Sequence, residues 1–237
     1  MYNIILICTA HLENGKCNSD ELFDILKNIR PEVIFDELTS EYSDMFYSDL
    51  FDTYFINSVL RNLKAPTVPL EVKSIKKYKQ NYDVEIIPVD IDTRQKLAEY
   101  QNELNFIFHK LFTHKDYITF DEERETLIAN EGFEYLNSDK FLDLSDKMDA
   151  LENTIVASEI ENERLLNIYN LFRIEQKEKR ENAMLQNIYI YSQKNQYNQA
   201  VFLVGANHKK SIMQKIIDYE ELSEIKLNWR MYGSKQK

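Results

Sequence analysis

ILICTAHLENGKCNSDELFDILKNIRPEVIFDEL, residues 5–38, holds the pattern from which the fold follows. Asn3 to Cys8 is short, apolar and rich in isoleucine, the mark of a buried strand. It ends at Thr9-Ala10-His11, and a loop with Asn14, Gly15, Asn18 and Ser19 follows. Asn18 or Ser19 is placed to cap a helix running to about Ile29, with Leu22, Phe23, Ile25, Leu26 and Ile29 on its apolar side. Pro31 stops that helix, and Glu32 to Phe35 reads as a second buried strand ending at Asp36-Glu37. Strand, helix and strand form a crossover unit, which predicts that the two strands are parallel neighbours. Both then open on the same edge of the sheet, the edge where parallel α/β sheets bind their ligands. His11 and Glu37 lie just past those two strand ends.

Outward from this unit, residues 41 to 64 read as helical and aromatic-rich, Pro66 and Pro69 break the chain, and Leu70 to Gln80 forms another helix. Val84 to Val89 is a third strand ending in acid, Asp90 and Asp92. Helical patterns fill Thr93 to about Gln193, with breaks at Gly132 and at Asn137-Ser138-Asp139 and apolar residues such as Leu151, Ile155, Leu165, Tyr169 and Phe172 at helical spacing. Ala200 to Val204 is a fourth strand, followed by Gly205-Ala206-Asn207-His208 and a helix from about Lys209 to Asp218. Ile225 to Trp229 reads as the last strand. The predicted class is α/β: a mostly parallel central sheet flanked by helices, with a long helical insertion. One domain spans 1–237, with a core of 1–92 and 196–237 and the insertion at about 93–195.

Composition narrows the partners. Hydrophobic residues at 43% supply a sizeable core, and four Gly and four Pro are too few for a turn-rich all-β fold. Twenty-nine Lys and Arg against 40 Asp and Glu leave a net charge of -11, which argues against a nucleic-acid partner. The run of Lys73, Lys76, Lys77 and Lys79 reads as the solvated side of a helix. Two cysteines make no disulfide scaffold. The start has no signal-peptide pattern, and Ile4 to Ile7 is far too short to span a membrane. The expected address is the cytoplasm, with no membrane partner; the long amphipathic helices make a homodimer reasonable.

Of four histidines, His11 and His208 occupy matching places, in Cys8-Thr9-Ala10-His11 and Gly205-Ala206-Asn207-His208. Two imidazoles and the Glu37 carboxylate at strand ends suit general acid–base work or a metal. Gly205 lets the backbone turn tightly and approach a ligand. Asp90, at a third strand end, is placed to orient a histidine, with helix capping as its plainer role. Asp36 should point to the opposite side from Glu37 if the strand continues. His109 and His114 lack the spacing of a helical metal pair, Cys8 and Cys17 lack a CxxC relation, and the aromatics between Phe46 and Phe55 suit core packing.

These residues resemble a known group. The stretch at 5–38, with Pro31, Val33, Glu37 and Leu38, is similar to the opening of the TraB/PrgY/Tiki family, which has a strand, a GxxH turn, a helix and a strand ending in Glu-Leu. VFLVGANHKKSIMQKI at 201–216 resembles that family's second GxxH motif, and EIIPVDID at 85–92 its middle strand. Arg180 to Asn187 resembles the Arg-acid-x-x-Met-x-x-Asn helix of the wider erythromycin-esterase-like and ChaN-like superfamily. Order and spacing agree over about a third of the chain; Cys8 stands where the first motif has glycine.

The resemblance implies a hydrolase site. Tiki-like members are described as metal-dependent proteases, and erythromycin-esterase-like members open a macrolactone with water activated by His and Glu. ChaN-like members bind haem, and PrgY-like members act against peptide pheromones. The implied site has His11, Glu37 and His208 either holding a divalent metal (Mn, Co or Zn) or activating water directly. Arg180 stabilises an oxyanion or a substrate carboxylate, a structural ion pair being its plainer role, and Asp90 orients an imidazole. The expected activity is hydrolysis of a peptide, ester or related bond in a peptide or small-molecule substrate. The competing readings are a non-catalytic module for a peptide, haem or signalling molecule, and a structural helper.

Overall fold

The computed structural model describes residues 2–48, 56–58, 60 and 68–234. These residues form one sheet of β1 (Tyr2–Thr9), β2 (Val33–Asp36), β3 (Glu85–Pro88), β4 (Gln199–Gly205) and β5 (Leu227–Met231), in the order β3-β2-β4-β1-β5. Every pairing is parallel. The class is α/β, as the alternation of apolar runs and helical patterns predicts.

One expectation is corrected. β1 and β2 are parallel but not neighbours: β4 lies between them, pairing Ala200 with Ile4 on one side and with Val33 on the other. From Ala200 to Val204 β4 is wholly apolar and wholly buried, so the middle of a two-sided sheet is where it loses most contact with water. The crossover through α1 (Ser19–Ile29) therefore skips one strand position.

Strand alternation sorts the core into two faces. Ile7, Ile34, Val201 and Leu203 face α1 and α3 (Leu70–Lys79). Ile4, Leu6, Val33, Phe35, Ala200, Phe202 and Val204 face α10 (Arg180–Lys194) and α11 (Lys209–Leu222). Asn18 caps α1, accepting from the backbone N–H of Asp20 and Glu21 at 3.0 Å each. The helix ends at Arg30, held in the left-handed region at φ 55°, with Pro31 directly after it. Of the helix expected at 41–64, α2 covers Ser40–Tyr47; residues 49–55, 59 and 61–64, and Pro66, lie outside the described residues. Of the Phe46–Phe55 aromatics, Phe46 packs with Met45, Ile56, Leu60 and Val72.

Between β3 and β4 run α4 (Arg94–Leu97), α5 (Gln101–Thr113), α6 (Lys115–Glu131), α7 (Phe133–Leu136), α8 (Asp139–Glu159) and α9 (Glu163–Arg173), then a π-helical turn, Ile174–Lys179, that leads into α10. This excursion is stitched into the sheet at both ends. Phe133, Tyr135, Leu136 and Phe141 join the first core face, and Met184, Leu185 and Ile188 the second. Its middle packs on itself through Ile107, Leu111, Ile155, Val156, Ile160 and Tyr169. Asn137 acts as a one-residue strand: its side chain accepts from the Cys8 N–H at 2.8 Å and donates to the Cys8 carbonyl at 3.0 Å. Among the described residues no helix is long and apolar enough to cross a membrane.

Candidate functional site

The order β2-β4-β1 decides what meets at the carboxyl edge. Thr9 pairs with Gly205 and Asp36 with Leu203, so the chain leaves these three strands at nearly one level. Glu37 follows β2, His11 follows β1, and Gly205 closes β4, with His208 one short turn later. A Cβ on Gly205 would lie 3.3 Å from Glu37 Oε2 and 3.5 Å from His11 Nε2. The glycine is thus needed for close approach. Its φ is -54°, and Cys8, in the matching place of the first motif, is likewise not among the positive-φ residues, so neither turn demands glycine for conformation.

Glu37 is the hub. Its Oε1 accepts from Arg180 Nη2 at 2.6 Å and faces His208 Nε2 at 3.4 Å, and its Oε2 accepts from the Gly205 N–H at 2.6 Å. Burial pushes this carboxyl up, but His208, Arg180 and His11 together outweigh it and bring it down to about 2. Arg180, from the first turn of α10, also grips Asp90 with Nε and Nη2, at 2.7 Å for the shortest contact. Asp90 therefore orients a guanidinium and not an imidazole.

The imidazoles have carboxylates of their own. His208 Nδ1 donates to Glu181 at 2.7 Å; burial pulls the ring down, but Glu181 and Glu37 raise it to about 9. His11 Nδ1 lies 3.3 Å from Glu71 on α3, which also accepts from Thr9 Oγ1 at 2.6 Å. Glu71 raises His11 to about 9, although the side chain is 61% exposed and solvent screens part of that pull. Asp36 accepts from Tyr47 at 2.7 Å, and burial raises its carboxyl to about 7. Asp36, Glu37, Glu71, His11 and Arg180 line a cavity of about 260 Å3. A groove of about 560 Å3 between α10 and α11 is larger, but His11, Glu37 and Arg180 are not among the residues that line it.

Glu71 and Glu181 were not singled out by sequence reasoning. Glu181 stands beside Arg180 in the quoted helix motif, which was a usable signal; Glu71 sits on an ordinary amphipathic helix and gave none. His109 lies within α5, and His114 sits at the junction of α5 and α6. Cys8 and Cys17 are buried, and burial pushes both thiols up to about 12, which suits packing and not nucleophilic attack.

A metal held by His11, Glu37 and His208 would need free carboxylate lone pairs and unprotonated ring nitrogens. Both Glu37 oxygens are committed to N–H donors, and a guanidinium stands 2.6 Å from one of them. Among the described residues no group of three His, Cys, Asp or Glu side chains is arranged to hold a metal ion. In this arrangement Glu37 would have to give up its Arg180 contact, or use the remaining lone pair of Oε2, and both rings would have to lose a proton before they could hold one. Compared with known proteins, the chain matches no family model, no curated protein and no solved structure.

Proposed function

We propose that the protein hydrolyses a peptide, ester or related acyl bond at the carboxyl edge of the sheet, without a metal. The observation that supports this is the ring of groups around Gly205: Glu37 Oε2 and His11 Nε2 border the space above its Cα, and Arg180 lines the same cavity. A water in the cavity lined by His11, Glu37 and Arg180 has an imidazole and a carboxylate beside it. His11, when unprotonated, takes a proton from the water as its oxygen attacks the acyl carbon. The carbonyl electron pair moves onto oxygen, where the Arg180 charge stabilises it. Collapse expels the leaving group, which takes the proton back from His11. Glu37, held down to about 2 by its cationic neighbours, is a weak base, so its part is to hold Arg180 and His208 in place.

The raised His11 sets a pH signature. Unprotonated imidazole accumulates as pH approaches about 9, so the rate should climb from pH 7 to 9. A panel of fluorogenic esters and short peptides tests the reading, with elemental analysis of the purified protein and addition of Mn, Co or Zn. Wild type should turn over part of the panel, and His11→Ala should lose about 100-fold or more. Equal turnover by His11→Ala, or none by wild type with or without metal, sinks the proposal. Near-stoichiometric metal lost in both His11→Ala and His208→Ala would replace it with a metal-assisted one.

A second reading, capture without turnover, draws on the lowered Glu37, which is a poor base. Retention of an unchanged peptide by wild type, lost in Arg180→Ala, distinguishes it. A cavity of about 260 Å3 is small for haem.

A further inference from the structure

We propose that Glu181 is the positioning residue of this site: it fixes the His208 ring with Nδ1–H toward itself and Nε2 toward Glu37. The inference rests on the hydrolytic reading only in treating His208 as part of the site. Glu181 is fully buried. Its Oε1 accepts from His208 Nδ1 at 2.7 Å, and its Oε2 from Ser211 Oγ at 2.5 Å and Lys215 Nζ at 2.9 Å. Lys215 also reaches Ser211 Oγ at 3.0 Å, which closes the set. The three donors lie at 208, 211 and 215, on one face of α11 and the short turn before it.

A buried carboxylate is costly unless every lone pair finds a donor, and a well-packed apolar cluster usually does as well for stability. What this cluster adds is direction. The imidazole has two nitrogens, and a carboxylate on each side distinguishes the observed orientation from its flipped one. With the ring flipped about its Cβ–Cγ axis, carbon would stand where Glu181 now finds Nδ1 and where Glu37 finds Nε2. Adjacent residues of α10 thus act on Glu37 Oε1, Arg180 directly and Glu181 through His208. Sequence reading placed this orienting task on Asp90, which is taken up by Arg180.

The test is nitrogen-15 NMR of the imidazole rings in the full chain, with His208→Gln to identify the signal among the four histidines. In wild type His208 should carry a proton on Nδ1 that exchanges slowly with water. In Glu181→Gln that exchange should quicken about tenfold or more, and Lys215→Met and Ser211→Ala should shift it the same way by less. A wild-type ring with no proton on Nδ1 overturns the proposal. So does unchanged exchange in folded Glu181→Gln or, if that variant does not fold, in both Lys215→Met and Ser211→Ala. The readout needs no substrate, so a failed hydrolysis assay leaves it standing. Where turnover is found, Glu181→Gln should move the pH–rate profile, which a smaller folded fraction alone would not do.

Discussion

At the scale of single residues the site is an arrangement of matched charges, and its sensitivity follows from that. Arg180 has 19% side-chain exposure and neutralises Glu37 and Asp90, exposed by 6% and 7%. Arg180→Ala strands two buried carboxylates and should cost about 3–5 kcal/mol, read as a fall in urea midpoint. Arg180→Lys keeps the charge but loses the fork and should fall between. Gly205→Ala should act differently. The added methyl presses on Glu37 and His11, so turnover or ligand capture should fall at least tenfold while stability falls by about 1–3 kcal/mol. A variant as active as wild type would show that the approach at Gly205 is unimportant. Strand-end histidines are visible in a sequence because strand and turn patterns are local. Glu71 is not, because a carboxylate becomes the partner of His11 only when α3 docks beside β1, 60 residues away in the chain.

At the scale of elements, helix ends were legible where a side chain does the capping, and less so where geometry does. Asn18 was readable as a cap, and Asn18→Ala should cost about 1 kcal/mol in thermal or urea unfolding. Arg30 was hidden behind Pro31, which alone seemed to end α1. Its left-handed φ of 55° is better served by glycine, so Arg30→Gly should hold or raise stability by up to about 1 kcal/mol. A clear loss of stability in that variant would show that the arginine side chain matters more than its backbone. The π-helical turn at Ile174–Lys179 was invisible, since its sequence reads as continuous helix. It adds a residue to one turn and so sets the rotation at which Arg180 and Glu181 leave it. β1 and β2 were read as neighbours, and β4 lies between them, because the crossover rule fixes direction and hand but not how many strands are skipped.

For the whole molecule, the raised and lowered carboxyls and imidazoles give stability a definite pH profile. Glu37, lowered to about 2, adds stability that is present above the usual carboxylate range and is lost as pH falls toward 2. His208, raised to about 9, adds stability that is full below its ordinary 6.5 and is lost as pH rises through 9. Asp36, raised to about 7, has the opposite sense to Glu37: the fold gives up stability as pH climbs from about 4 through 7. Asp36→Asn, which can still accept from Tyr47, should therefore be more stable than wild type above pH 7 by a few kcal/mol, with the gain gone near pH 4. Urea midpoints at pH 4 and pH 8 check this, and equal midpoints at pH 8 refute it. The strand order carries a further consequence, for biosynthesis. Residues 199–205 join β1 to the β2–β3 pair, so in a growing chain the facing edges of β1 and β2 have no shared partner until this segment leaves the ribosome. The five-stranded sheet can close only once β4 is made, so a nascent chain stalled before residue 199 should bind chaperones more than one released after residue 231.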